Sequence, residues 1–170
     1  GMGGAAVSSA DTGAFSSGIE LNAVQRSNPE MQKRVSNVIR ALAESDDNTI
    51  ISIHDHGAGG HLNCLSELVE DTGGVINIDA LPIGDKTLSA KEIIGNESQE
   101  RMGLIIREKD LPNLQKIAER ERAPLFDVGY ISEDNRFVMY SENKNIKPID
   151  LTIDDFFGKT PKTSITWGID

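Results

Sequence analysis

The chain has 170 residues, and with 38% hydrophobic and 26% charged residues it has the composition of a soluble globular domain rather than of a disordered or membrane protein. Its 17 lysines and arginines against 27 aspartates and glutamates give a net charge of −10, which argues against nucleic acid as a partner, because nonspecific affinity for it comes from cations that neutralise phosphates. The apolar runs are too short to cross a bilayer, so no membrane partner is expected either.

The N-terminal segment is rich in small and polar residues. Residues 1–9 hold glycine, alanine and serine where a secretory signal would place basic and then apolar residues, so we predict no signal peptide. This stretch is not a Walker A loop, because no Gly-Lys-Ser/Thr follows, although its backbone amides could cradle a phosphate. From the abrupt glycine-rich start we expect that the chain derives from a longer protein.

The first strong secondary-structure signal is a helix that begins after Asn28. Asn28 can cap this helix, Pro29 suits its first position, and Glu30 is favoured at the positive end of the helix dipole. Apolar residues recur at helical spacing over 31–42 and predict one buried stripe. The β-branched run at 49–53 then predicts a short strand that is buried on both faces.

Helices and strands alternate along the rest of the chain. Asp110 is predicted to cap a helix, and residues 133–135 are predicted to form a hairpin turn between two strands. Because a hairpin is present among interleaved helices and strands, an α+β fold with a mixed β-sheet and packed helices fits better than a purely parallel sheet. The predicted elements are helices at 62–69, 88–94, 110–118 and 151–157 and strands at 75–78, 102–107, 124–131 and 136–140.

Asp55 is the sharpest candidate for a binding residue. It lies where the strand at 49–53 ends and a glycine-rich turn, 57–60, begins. In sheets covered by helices, ligands tend to bind beyond the carboxyl ends of strands, and a carboxylate there is well placed to hold Mg²⁺. A purely structural alternative remains open, in which Asp55 caps the following helix and the glycines only permit a tight turn.

Three histidines and the single cysteine lie around the same turn. His54, His56, His61 and Cys64 would supply four zinc ligands, but their spacing matches no standard zinc pattern, and strand alternation sends His54 to the face opposite Asp55. We therefore expect packed or hydrogen-bonded histidines. One cysteine excludes an intrachain disulfide framework and favours a reducing, cytoplasmic compartment. Its place on the apolar side of a helix argues against a catalytic thiol.

A second polar segment, 96–101, precedes the strand that begins at Met102. Six consecutive hydrogen-bonding side chains at the entrance to a buried strand are unusual, because such groups cost free energy unless they find partners. The segment is therefore a candidate binding site, with a charged turn after a helix as the alternative. Gln25 and Arg26 lie just before the Asn28 cap, at a helix entrance where anions are favoured.

Five motifs follow one another along the chain: VQRSNPEM at 24–31, HDHGAGG at 54–60, NESQER at 96–101, ERAP at 121–124 and GKTPK at 158–162. In this order they resemble one enzyme family, phosphoribosylformylglycinamidine synthase, which is a glutamine- and ATP-dependent enzyme of purine biosynthesis. They cover nearly the whole chain. That enzyme contains two halves that each resemble aminoimidazole ribonucleotide (AIR) synthetase. More narrowly, the chain is similar to the C-terminal subdomain of the first half. Ala5 departs from the glycine-rich opening loop of the family.

The resemblance implies roles for individual residues. Gln25 matches a residue that contacts the substrate, Asp55 matches a magnesium ligand, and Glu97, Ser98 and Gln99 match a substrate-binding run. The family uses ATP, Mg²⁺ and ammonia from glutamine to convert an amide of formylglycinamide ribonucleotide into an amidine. In chemical terms, magnesium offsets the polyphosphate charge while neutral polar groups orient the amide.

The resemblance also implies that the chain is incomplete as an enzyme. In the family, the catalytic histidine and most nucleotide contacts lie in the preceding N-terminal subdomain, and glutamine hydrolysis belongs to a separate amidotransferase domain. We expect no catalytic residue here, a domain at 1–157 followed by a linker or tail at 158–170, and no activity without the missing subdomain, the second half and the amidotransferase. Two alternatives stay open: another ATP-dependent enzyme of the AIR synthetase superfamily, which the 96–101 segment disfavours, and a non-catalytic interaction domain.

Overall fold

The structure is a computed structural model that describes residues 28–158. Gln25, the 1–9 segment and the tail after Gly158 lie outside the described residues, so the predictions for them stay predictions. None of the helices within 28–158 is long and apolar enough to cross a membrane. The described helices are α1 (Pro29–Ala43), α2 (Gly60–Leu68), α3 (Ala90–Ile94), α4 (Leu111–Glu121) and α5 (Ile153–Phe157), and the strands are β1 (Ile50–Asp55), β2 (Gly74–Asn77), β3 (Met102–Ile106), β4 (Gly129–Ile131), β5 (Arg136–Ser141) and β6 (Ile146–Thr152).

The strands form two sheets. β1 and β3 pair antiparallel as a two-stranded sheet. The other four strands form a sheet in the order β4-β2-β5-β6, in which β2 and β5 are parallel and the remaining pairs are antiparallel. The prediction of an α+β fold with a mixed sheet and packed helices is therefore confirmed.

Helix α1 forms as the sequence predicts. The Asn28 side chain accepts a hydrogen bond from the backbone N–H of Met31 at 3.0 Å and so caps the first turn. Val38 and Leu42 on its apolar stripe pack with Leu114 and Ala118 of α4 as one small core cluster. Complete burial of a side chain such as Leu42 stabilises the fold by about 1.5–3 kcal/mol.

A larger core cluster lies between the four-stranded sheet and helices α2, α3 and α5. Phe137 and Met139 of β5 are completely buried at its centre, because β5 is an interior strand of that sheet. Ile93 and Ile94 belong to α3, whose N-terminus is closed by a capping box between Ser89 and Glu92. The two clusters meet at the β1–β3 sheet, where Ile105 packs on the larger cluster and Leu104 and Ile106 on the smaller one.

Strand β1 is not buried on both faces, so that prediction is wrong. Its residues alternate between half-buried and exposed, with Ile51 60% exposed and Ile53 39% exposed. The reason is topological: β1 is an edge strand of a two-stranded sheet, whereas a strand buried on both faces needs neighbours and covering layers on all sides. The alternation places Ile51, Ile53 and Asp55 on the same face of the strand.

The predicted hairpin at 133–135 is also wrong. β2 lies between β4 and β5, so residues 133–135 pass around the end of β2, and the backbone N–H of Asn135 bonds to the carbonyl of Thr72 at 3.2 Å. The real antiparallel partner of β5 is β6, which sequence analysis missed. β6 is an edge strand of mostly exposed residues that contains Pro148, so it lacks the alternation of a half-buried strand.

The role predicted for Asp110 is wrong as well. Asp110 ends a short 3₁₀ turn, Glu108–Asp110, and its side chain makes no capping hydrogen bond to α4. Its carboxylate instead accepts a hydrogen bond from Arg107 Nε at 3.0 Å. The 3₁₀ turn holds the backbone of Asp110 in a helical conformation, whereas a capping residue needs an extended one.

Candidate functional site

The glycine turn after β1 is in direct contact with the 96–101 segment. Gly60 has φ +61°, and a Cβ atom on it would lie 2.4 Å from the carbonyl oxygen of Asn96, so only glycine permits this approach. The backbone N–H of Gly59 donates a hydrogen bond to Glu97 Oε1 at 2.9 Å, and Glu97 is buried. Two motifs that lie some forty positions apart in the sequence therefore form one structural unit.

Asp55 and Gln99 line the same cavity. This cavity has a volume of about 550 Å³ and opens between α1, the end of β1 and residues 99–102; we call it the polar cleft. Asp55 is exposed there, and within 28–158 no hydrogen bond or ion pair engages its carboxylate. Because Mg²⁺ is commonly held by one or two carboxylates together with waters and substrate phosphates, the residue fits the role of a ligand to that ion.

The two residues before Gln99 have a different place. Glu97 is turned towards the glycine turn, and its carboxylate holds that turn against the polar segment. Ser98 is half-buried; its backbone N–H donates to Asn96 Oδ1 at 2.9 Å, and its carbonyl accepts from Arg101. Of the predicted substrate-binding run, only Gln99 is among the residues that line the polar cleft.

Arg101 holds the polar segment in its folded form. Its Nε donates to the carbonyl of Ser98 at 2.6 Å, and its Nη2 donates to the carbonyl of Asn96 at 2.6 Å. The remaining terminal nitrogen, Nη1, lies 2.7 Å from His61 Nε2. A single guanidinium therefore ties the two ends of the segment together and joins them to helix α2.

His56 and His61 form a hydrogen-bonded pair, as the sequence analysis expects of packed histidines. His56 Nε2 lies 3.0 Å from His61 Nδ1, and the two rings meet edge to face with 4.8 Å between their centroids. Burial, with the charge of Arg101 as the second cause, lowers the pKa of His56 to about 4 and that of His61 to about 3. Both rings are therefore neutral at pH 7.

The bonding pattern determines which nitrogen of each ring carries the proton. Arginine only donates, so His61 Nε2 must be an acceptor, and the proton of His61 is on Nδ1. That Nδ1–H donates to His56 Nε2, which leaves the proton of His56 on its Nδ1. Sequence reasoning missed this relay from Arg101, because no local pattern shows that position 101 lies beside positions 56 and 61.

A second, mostly apolar cavity of about 490 Å³ lies beside the polar cleft. It runs between α1, α4 and the loop that follows α4. His56, Gln99, Glu100 and Arg101 line both cavities, so this group of side chains separates and borders the two spaces.

His54 and Cys64 lie on the other side of β1 and take no part in the cleft. His54 Nδ1 is 3.0 Å from Glu67 Oε2 of α2, which agrees with the strand alternation. Burial raises the pKa of the Cys64 thiol to about 11, so the thiolate needed for nucleophilic or metal chemistry does not form at neutral pH. Among the described residues, no group of three or more histidine, cysteine, aspartate or glutamate side chains is arranged to hold a metal ion.

Comparison with known proteins identifies the family. Residues 1–142 match the family described as AIR synthase related protein, C-terminal domain. The chain belongs to this family. As an AIR synthase related C-terminal domain, it is 42% identical over 166 residues to the phosphoribosylformylglycinamidine synthase of Schizosaccharomyces pombe, a match that covers 96% of this chain and 12% of that protein.

Solved structures of related proteins share the fold of this AIR synthase related domain. Phosphoribosylformylglycinamidine synthase II from Thermotoga maritima matches with a TM-score of 0.72 and 22% identity over 87% of this chain and 25% of that one. T. maritima PurL complexed with FGAR matches with the same TM-score and identity and covers 24% of that chain. The domain thus spans a quarter or less of the length of these relatives.

Proposed function

We propose that the chain is part of a phosphoribosylformylglycinamidine synthase, a carbon–nitrogen ligase that uses ATP and glutamine to convert formylglycinamide ribonucleotide into formylglycinamidine ribonucleotide. The identity of 42% over 166 residues to a synthase of that name supports this assignment. The observation that carries it is structural: Asp55 and Gln99, from two motifs that are distant in sequence, line one cleft.

In this proposal the residues of the cleft bind and orient, and the chemistry is completed elsewhere. Asp55 would hold Mg²⁺, which when bound offsets the negative charge of the ATP phosphates. The Gln99 amide both donates and accepts, so it can orient the substrate amide for reaction. Glu97 and Ser98 would act mainly by holding the polar segment in place, and Gln25 is proposed as a further substrate contact.

The charges on the cleft walls support an anionic ligand. The chain as a whole carries a net charge of −10, so a phosphate-bearing substrate needs local cations. Lys33 and Arg40 on α1 line the polar cleft on the wall contributed by that helix, and Arg101 lines it from the polar segment. Arg40 forms an ion pair with Glu44, with 2.8 Å between Arg40 Nε and Glu44 Oε1. Of these two α1 cations, Lys33 is therefore the more available to a phosphate.

The proposed partners follow from the part that the domain plays. Formylglycinamide ribonucleotide, ATP and glutamine are substrates of the whole enzyme, and Mg²⁺ and ATP are its cofactors. The catalytic groups would come from an N-terminal AIR-synthetase-like subdomain, the second half and an amidotransferase domain, in a cytoplasmic protein. No catalytic residue is assigned to this chain.

Substitutions in the full-length enzyme test the proposal. Asp55→Ala and Gln99→Ala should each lower kcat/KM for formylglycinamide ribonucleotide by about 100-fold, which is the size expected when a positioning group is lost, while the melting temperature changes little. Asp46→Ala and Gln115→Ala are matched controls, because both side chains are exposed and neither lines a cavity. Near-normal turnover of both cleft variants would contradict the proposed function.

A further inference from the structure

We infer that His56 and Glu100 form a donor–acceptor pair that binds one amide group of the substrate, with His56 Nδ1–H donating to the amide oxygen and the Glu100 carboxylate accepting from the amide N–H. The inference rests on the proposed function for the identity of the substrate. It gives a binding role to two cleft residues to which the family resemblance assigned none, and it makes His61 and Arg101 positioning residues.

The first observation is an unpartnered donor on a buried ring. His56 is 7% exposed, and within residues 28–158 its Nδ1 has no hydrogen-bond partner, although the relay from Arg101 through His61 places a proton there. A buried N–H without an acceptor is costly, and such groups in folded proteins commonly mark a site where a ligand or water completes the bond. The other ring nitrogen, Nε2, already accepts a hydrogen bond from His61, so His56 can offer a ligand only the Nδ1–H donor.

The second observation is an unpartnered acceptor on another residue that lines the polar cleft. Glu100 Oε1 is buried and has no hydrogen-bond partner in the part of the chain that the structure describes. Its backbone has φ +63°, in the left-handed region that is unfavourable for residues other than glycine. The segment is held in this conformation on both sides of Glu100, since Arg101 bonds to the carbonyls of Ser98 and Asn96.

The two residues that carry these groups border the same space. His56 and Glu100 line the polar cleft and the apolar cavity beside it, together with Gln99. A phosphate would accept from the His56 donor but would be repelled by the Glu100 carboxylate. A cation would be attracted by Glu100 but could not accept a hydrogen bond from His56. An amide presents an acceptor oxygen and a donor N–H on the two atoms bonded to its carbonyl carbon, so it is the chemical group that completes both bonds.

Kinetics and binding of the full-length enzyme test this pairing. The rate is measured with ammonia as nitrogen donor at saturating ATP, and the Kd of formylglycinamide ribonucleotide by calorimetry without ATP. His56→Phe and Glu100→Met should each raise KM and Kd for this substrate about ten-fold, the size expected for loss of one hydrogen bond, and leave the KM for ATP unchanged. Glu100→Gln retains an acceptor oxygen and should lose less affinity than Glu100→Met.

A pair of amide variants isolates the ring nitrogen that matters. In His56→Asn, the side-chain NH₂ can occupy the position of Nδ1, so affinity should stay within about three-fold of the unsubstituted enzyme. His56→Gln retains only a group at the position of Nε2 and should behave as His56→Phe. Equal substrate affinity of the Asn and Gln variants would overturn the inference even if His56→Phe fails to fold.

The control makes the same change at a histidine that borders neither cavity. His54, two positions earlier, contacts Glu67 instead, so His54→Phe should leave the KM unchanged. Unchanged substrate affinity in folded His56→Phe and Glu100→Met would mean that a buried water completes the two bonds, which overturns the inference. If Asp55→Ala and Gln99→Ala then still reduce activity, the proposed function stands without it.

Discussion

Three side chains that are each unfavourable to bury become mutually compatible in the relay from Arg101 to His61 to His56. Arg101 donates to a histidine nitrogen that must remain unprotonated, and the neutral form of His61 in turn donates to His56. The positive charge of Arg101 favours the neutral rings, because a protonated histidine beside it would be repelled. What each ring can bind is therefore set by which of its nitrogens carries the proton and not only by the residue type.

The stability of the chain should fall as the pH is lowered below the ordinary pKa of histidine. His61, which faces His56 and Arg101, has a folded pKa of about 3 against an unfolded value of 6.5, so protonation favours the unfolded state. Its contribution is present above pH 6.5 and is lost between pH 6.5 and about 3. For this group alone, urea unfolding should show a loss of about 2 kcal/mol between pH 7 and pH 5.

A variant of the same residue separates this effect from general acid destabilisation. His61→Asn removes the titrating ring but keeps a polar side chain, so the free energy of unfolding should depend less steeply on pH over this interval. The same slope in the variant and in the unsubstituted chain would show that other groups control acid stability.

At the scale of elements, the site depends on contacts between short segments. Helix α2 begins at a glycine turn whose backbone touches the polar segment, and that segment leads directly into β3. The end of β1 and the start of β3 are neighbours, since Asp55 pairs with Met102. The end of β1 and the polar segment, which line the cleft, are therefore held by their contacts with each other and with the start of α2.

Gly60→Ala should disrupt this contact. The new Cβ would lie 2.4 Å from a backbone oxygen at a residue with φ +61°, so the turn or the segment must move. We expect a loss of at least about 2 kcal/mol in the free energy of unfolding of the chain and weaker substrate binding in the full enzyme. In the matched control Gly84→Ala, the added Cβ meets no atom within 4 Å, and stability should be nearly unchanged.

The start of α3 offers a second element-scale prediction. Ser89 Oγ accepts from the backbone N–H of Glu92, whose carboxylate reaches back to the backbone N–H of Ser89 at 2.8 Å. Ser89→Ala should lower the free energy of unfolding by about 1 kcal/mol, measured by urea unfolding. Ser89→Asp keeps an acceptor oxygen at this position and should retain most of the stability; equal losses in both variants would rule out the cap as the cause.

At the scale of the whole described structure, the apolar cavity lies where the two core clusters approach each other, and the polar cleft opens beside it. Val38, Leu114 and Ala118 of the smaller cluster line the apolar cavity on one side, and Leu65 and Leu81 of the larger cluster also line it. Both cavities are open, and the residues that line them can bind and orient a ligand. This arrangement suits one wall of a site that other domains complete.

The purified 170-residue chain should accordingly make no product. Incubation with formylglycinamide ribonucleotide, ATP, Mg²⁺ and ammonia should leave the substrate unchanged in a chromatographic assay, because the proposed catalytic groups belong to other domains. Full-length enzyme at the same molar concentration is the positive control. Formation of formylglycinamidine ribonucleotide by the chain alone would contradict the composite site.

Much of the local structure is readable from the amino-acid order. The Asn28 cap, the helical stripe of α1 and the strand–glycine turn–helix at Asp55 are confirmed. These features depend on residues within a few positions of one another, through capping bonds, helical periodicity and backbone freedom. The mixed sheet is also confirmed, but its mixed character comes from the parallel pairing of β2 with β5 and not from the predicted hairpin. The motif positions likewise pointed to the family to which the chain belongs.

Other features depend on how distant segments meet, and no local pattern encodes them. The insertion of β2 between β4 and β5 replaced a predicted hairpin, and the edge position of β1 left Ile51 exposed. The proton positions on His56 and His61 depend on Arg101, forty residues further along the chain. Side-chain type and spacing therefore indicate which groups are available. Only packing in three dimensions decides which of them face one another, because strand order and side-chain partners depend on how the whole core is buried.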